Sequence, residues 1–159
     1  MNALDIIGMM LQDAFWSSVA ATGFAILFNV PKRTLPGCAL GGAVGHATRT
    51  LLMQIGMDIE LATLVGATVI GFLGLFFARR WQAPALIFTI SAAVTMVPGT
   101  FAYRAMIGLL ELAQADPATA NVALIEASAN AIRTALILGA IAVGIVAPGM
   151  LFDRHKPVV

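Results

Sequence analysis

Apolar residues fall in long runs broken by short polar or charged stretches. The run lengths predict five membrane-spanning helices at about residues 15–30, 35–55, 59–78, 84–110 and 125–152. All five belong to one transmembrane domain covering residues 1–159. The apolar start ALDIIGMML, ahead of Asp13, reads either as an interfacial turn or as the first part of span one. The fourth run is long enough to cross a bilayer, yet Pro98-Gly99 interrupts it inside TMVPGTFAYR. Pro98 has no N–H and crowds the carbonyl four residues back, and Gly99 has no side chain to restrain the break. Backbone groups freed there must face protein or a water-lined cavity, because hydrocarbon offers them no partner. A helix broken this way, with Thr95, Tyr103 and Arg104 close by, is a pattern of transport pathways as well as of simple kinks.

Small and polar residues follow helical spacing. Cys38, Gly42, Gly45, His46 and Arg49 recur at threes and fours on span two, CALGGAVGHATRT. Ala67, Gly71, Gly74 and Ala78 form a small stripe on span three, for which close helix packing is the plain reading. Span five carries Glu126, Asn130 and Arg133 towards one end and Ala140 and Gly144 towards the other. Pro36-Gly37 and Pro148-Gly149 read as punctuation at helix ends.

Composition removes the soluble alternative: 60% of the 159 residues are hydrophobic and 11% are charged. The fold class is therefore all-α, an integral membrane helical bundle. The placement of charge matters more than its sum. Lys32-Arg33 lies between spans one and two, Arg79-Arg80 between three and four, and Arg154 and Lys156 after span five. Asp5, Asp13, Asp58, Glu60, Glu111 and Asp116 fall on the other side. The positive-inside rule then places the N-terminus outside and the C-terminus in the cytoplasm. ELAQADPATANV, residues 111–122, reads as an outer loop. No basic residue precedes the first apolar run, which argues against a cleaved signal peptide.

The chemistry on offer is narrow. Cys38 is the single cysteine, so an intrachain disulfide is excluded, and His46 and His155 are too few for a zinc site. The carboxylates fall at predicted helix ends or outer positions, with no acidic pair at metal-ligand spacing inside a span. No catalytic residue, metal or cofactor is implied, and no basic patch supports nucleic-acid binding. On a rise of 1.5 Å per residue, His46 and Arg49 lie roughly 16 and 21 Å into the membrane, level with Thr95 and Pro98. Arg104 and Arg133 lie roughly 30 Å from the cytoplasmic ends of their spans, where they line a pathway or snorkel to the outer interface. The candidate pathway residues are His46, Arg49, Thr95, Pro98, Gly99, Tyr103, Arg104, Asn130 and Arg133. This sequence offers Arg49 no deep acid as a partner, and deep positive charge favours a small solute bearing a carboxylate.

The run AFWSSVAATGFAILFNVPKRTLPGCALGGAVGH, followed by VPGTFAYRAM and AIRTALILGAIAVGI, resembles the small separate subunit of the threonine/serine exporter family. The resemblance covers nearly the whole chain, and Pro31-Lys32-Arg33 with Val97-Pro98-Gly99 carries it. It implies a five-helix unit like the C-terminal membrane half of fused members, and a larger membrane subunit of the same family as partner. Two five-helix halves of opposite orientation form an inverted pair in the lipid bilayer, here a bacterial inner membrane. The solute it implies is threonine or serine, or a dicarboxylate such as succinate. A dianion leaving an inside-negative cell is driven outward by about 2.3 kcal/mol per charge per 100 mV, whereas a zwitterion needs an antiported ion. His46 is a candidate proton carrier, against the plainer role of a satisfied hydrogen-bonding group. Two other readings stay open: an assembly subunit whose partner holds the pathway, and a homo-oligomeric channel.

Overall fold

A computed structural model describes residues 3–114, 116 and 120–152. The described residues are mostly helical, joined by turns and short irregular links. The helices are α1 (Ala3–Leu27), α2 (Leu35–Gln54), α3 (Ile59–Trp81), α4 (Ala85–Ala93), α5 (Gly99–Gln114) and α6 (Ala120–Phe152). Short 3-10 turns cover Lys32–Thr34 and Val94–Met96. Arg154, Lys156, His155 and Pro117 lie outside the described residues.

Helices occupy every predicted span, with three corrections. First, α1 begins at Ala3, so of the two readings of the apolar start the helical one holds, and Asp13 stands inside the helix rather than before the first span. Second, the expected outer loop is shorter than drawn, since α5 continues to Gln114 and α6 begins at Ala120. Third, Pro148 does not end the last span; it sits inside α6, fully buried. Two helices, α3 and α6, are long and apolar enough to cross a membrane, and the α4–α5 pair makes a third if counted as one broken span. On α2, His46, Arg49 and Thr50 lower the hydropathy of an otherwise apolar helix.

The chain divides into two units, residues 1–96 with 140–159, and residues 97–139. In the first, α2 is the central helix, packed by α1, α3 and α4. The small residues on α2 make that possible. A Cβ on Gly42 would lie 2.5 Å from Ala21 Cβ and 2.9 Å from the Ser17 carbonyl of α1. One on Gly41 would meet Ala92 of α4 at 3.2 Å, and one on Gly45 would overlap the Ile70 side chain of α3. The stripe is thus divided among three neighbours rather than facing one. On α3, a Cβ on Gly66 would lie 2.8 Å from the Gly45 carbonyl, and Gly74 abuts Thr89. Such contacts let backbones approach where lipid gives no hydrophobic drive for helix association.

Towards the Lys32 and Arg79 ends, Phe77, Trp81 and Phe88 stack with centroids 5.2–5.7 Å apart over Cys38 and Ala25. Three turns in this unit close through left-handed residues, Asn29 (φ 57°), Gly56 (φ 92°) and Gln82 (φ 49°). After each, an N–H reaches back five residues: Val30 to Ala25, Met57 to Leu52 and Ala83 to Ala78. Pro148 cannot donate to the Gly144 carbonyl, and that oxygen lies over Gly71, 3.0 Å from where its Cβ would stand. The freed group is thereby kept against α3 and away from lipid.

In the second unit, Gly108 of α5 seats on Ala127 of α6, where a Cβ would be 2.9 Å from Ala127 Cβ. Large apolar side chains such as Phe15, Trp16, Phe76 and Leu86 point outward, as a lipid-facing surface requires.

Candidate functional site

Placing Asp13 inside α1 changes the chemistry of the first unit. Its Oδ2 lies 2.7 Å from His46 Nδ1 and also accepts a hydrogen bond from the Thr50 hydroxyl. His46 and Thr50 are one helical turn apart on α2, so both reach the same carboxylate from one face. The expectation that the carboxylates fall at helix ends or outer positions fails here, since Asp13 stands in the interior of α1. Asp13 and Thr50 are the candidate site residues that the sequence reading missed. The available signal was that apolar residues continue on both sides of Asp13, while His46 and Thr50 present a polar i, i+4 pair. The pair is only partly enclosed, with the His46 and Asp13 side chains 21% and 28% exposed. A cavity of about 320 Å³ opens onto it, lined by Met9, Gln12, Asp13, Trp16 and Thr50. No third His, Cys, Asp or Glu joins the pair to complete a metal-binding group among the described residues.

Arg49, three residues beyond His46, takes a different partner. Its Nη1 donates to the Met96 carbonyl at 3.2 Å. Met96 ends the 3-10 turn that follows α4, and Val97-Pro98 behind it is non-helical. A cation at the end of a half-helix satisfies an orphan carbonyl and meets the negative pole of its dipole. The Asp13 carboxylate also acts electrostatically on Arg49. Thr95 donates its hydroxyl to the Ala92 carbonyl at 2.7 Å, closing the turn from within. The structure therefore gathers His46 and Arg49 around Asp13, with Arg49 anchored to the break and Thr95 one residue before its acceptor.

The remaining predicted residues belong to the second unit. Pro98 is buried, and Gly99 opens α5 with no atom within 4 Å of where its Cβ would stand. On the far side of the break, the Ala102 N–H donates to the Pro98 carbonyl at 3.0 Å. Tyr103, Arg104 and Asn130 line a cavity of about 400 Å³ together with Ile107, Gly108, Glu111 and Glu126. The Asn130 amide donates to the Glu126 carbonyl at 2.8 Å. Arg133 does not line that cavity; its guanidinium lies 5.8 Å from the centroid of the Phe101 ring.

The family model for Threonine/Serine exporter, ThrE, matches residues 13–151. The chain therefore belongs to the threonine/serine exporter family, a family of membrane transporters. It is 43% identical over 151 residues to an uncharacterized protein of Haemophilus influenzae. That alignment covers 94% of this chain and 50% of the relative, so the chain spans about half the relative's length. No solved structure matches.

Proposed function

We propose that this chain is one half of a two-part secondary transporter that exports a small zwitterionic amino acid, threonine or serine, across a bacterial inner membrane. The observation that carries the reading is the presence of opposite charges in the first unit: a carboxylate on α1, Asp13, within electrostatic reach of a guanidinium on α2, Arg49. An α-amino acid carries the complementary pair, an ammonium for Asp13 and a carboxylate for Arg49. Arg49 spends one donor on Met96, and a guanidinium has five, so a fork remains for a solute carboxylate. Asp13 receives both observed hydrogen bonds on Oδ2, which leaves Oδ1 for an ammonium.

A dicarboxylate such as succinate fits this balance less well, because the deep charge is no longer purely positive. Asp13 offsets Arg49, and a second solute carboxylate would meet an acid. The threonine/serine exporter family supports the same choice. The other half is a second membrane subunit, a larger one on the family resemblance, and the relative of twice the matched length supports a two-part plan. Five spans, an outside N-terminus and an inside C-terminus complete the proposal, with transport rather than catalysis as the activity.

The test is solute exchange in proteoliposomes containing this chain and its co-purified membrane partner. Labelled threonine should exchange against unlabelled threonine or serine and poorly against succinate. Faster exchange of succinate than of threonine would overturn the zwitterion reading, and full exchange by this chain alone would favour a homo-oligomeric channel.

A further inference from the structure

We infer that the Asp13–His46 pair is the proton site of this transporter, and that a proton on His46 competes with the ammonium of the solute for Asp13. The inference rests on the functional reading above and supplies its coupling ion.

The geometry favours His46 over Asp13 as the group that changes protonation. Asp13 Oδ2 accepts from two donors, Nδ1 of His46 and the Thr50 hydroxyl, so the carboxyl is held as an acceptor. Nδ1–H donates to that oxygen in neutral imidazole and in imidazolium alike. The two states differ only at Nε2, which the Asp13 contact does not use. A proton can therefore arrive and leave at Nε2 while the hydrogen bond across α1 and α2 stays intact. Both side chains are partly exposed, and a cavity opens over Asp13 and Thr50, so the pair is not sealed within the helices.

The surrounding charges set the direction of coupling. On α2 the neighbouring charge is Arg49, and on α1 it is Asp13 itself. The helix α4 and the 3-10 turn after it contain no ionisable residue. The ionisable residues of α3 stand at its ends, Glu60 in the first turn and Arg79 and Arg80 in the last. With His46 neutral, Asp13 and Arg49 offset one another, and the Asp13 charge is available to an ammonium. With His46 protonated, the imidazolium occupies that charge, and an ammonium at Oδ1 would meet a cation across a shared carboxylate. Proton and zwitterion therefore bind in alternation, the condition for antiport. One proton enters at Nε2 as one amino acid departs, and no bond of the solute is made or broken. Alternation also resolves the energetic problem of exporting a zwitterion, which gains nothing from the membrane potential.

Two measurements on the partner-containing complex test this. The first uses His155→Ala, which leaves His46 as the single histidine of the chain, and follows its ¹⁵N signals in bilayers between about pH 5 and 8. One protonation should appear at Nε2 with Nδ1 unchanged. Saturating threonine should weaken it by about tenfold, because linkage is reciprocal. The second compares threonine efflux driven by a pH gradient with threonine exchange at equal pH. In the wild type the gradient should accelerate net efflux severalfold above exchange at equal pH. In His46→Gln, whose amide still donates to Asp13, the ratio of driven efflux to exchange should fall to near one. A His46 that stays in one protonation state throughout, or a His46→Gln protein that keeps the full ratio, overturns the inference while the transport reading survives. A wild-type complex that exchanges no threonine overturns the transport reading, and the coupling falls with it.

Discussion

Replacing Arg49 separates two duties that one side chain performs. Its Nη1 donates to the Met96 carbonyl at 3.2 Å, and Met96 is fully buried. A hydrogen bond from a charged donor contributes about 1.5–3 kcal/mol, and its loss leaves the carbonyl without this donor at the end of a half-helix. Arg49→Gln removes the charge and shortens the reach, so it should destabilise the folded protein by about 2–3 kcal/mol. At 1.4 kcal/mol per decade that is roughly 30- to 150-fold in the folding equilibrium. Arg49→Lys keeps a cation long enough to reach Met96 and should cost about 1 kcal/mol or less. Lysine has no planar fork, however, so threonine exchange should fall by tenfold or more in the same protein. Unfolding by detergent titration in bicelles gives the first quantity, and exchange in proteoliposomes with the partner gives the second. An Arg49→Gln protein within 0.5 kcal/mol of wild type would show that the contact to Met96 is idle. Normal exchange in Arg49→Lys would remove Arg49 from solute recognition.

Three further outcomes follow from other parts of the chain. Gly66→Ala sets a methyl against the Gly45 carbonyl and should destabilise by about 1–3 kcal/mol, whereas Gly23→Ala, with open space around it, should be neutral or stabilising by up to about 1 kcal/mol; thermal unfolding of the two variants checks the contrast. Pro98→Ala restores a backbone donor at the break, and the variant should insert normally yet transport poorly. Normal transport by Pro98→Ala, Gly99→Ala would reduce the break to a kink. In a Cys38→Ala background, a cysteine at Asp116 should be labelled by an impermeant reagent from the periplasmic side, and labelling only from the cytoplasm would reverse the orientation.

The helices were legible in the sequence because run length is a local property and the bilayer fixes how long a run must be. The break at Pro98 was legible for the same reason, since a missing N–H needs no neighbour to make itself felt. What required the fold was every feature that depends on a facing helix. Pro148 looks like an end signal, yet α6 continues through it because Gly71 leaves room for the freed carbonyl. Asp13 looks like a boundary residue, yet α1 extends to Ala3 and the acid finds two donors on α2. The depth of Arg49 followed from the helical rise, but its acceptor, a main-chain carbonyl, carries no mark in the sequence. The small-residue stripe of α2 was visible as a stripe, while its division among α1, α3 and α4 was not.

The central position of α2 has a consequence for how the protein is made. Its ionisable and glycine-rich face leaves it too polar to partition into lipid alone, and three neighbours are needed to cover it. The connections on either side of α2, residues 28–34 and 55–58, are short. We expect such a helix to enter a bilayer together with a neighbour, and α1, whose Asp13 meets His46 and Thr50, is the partner that would cover its ionisable side chains. The same three side chains would then act twice, first in sheltering one another during insertion and later in moving a proton.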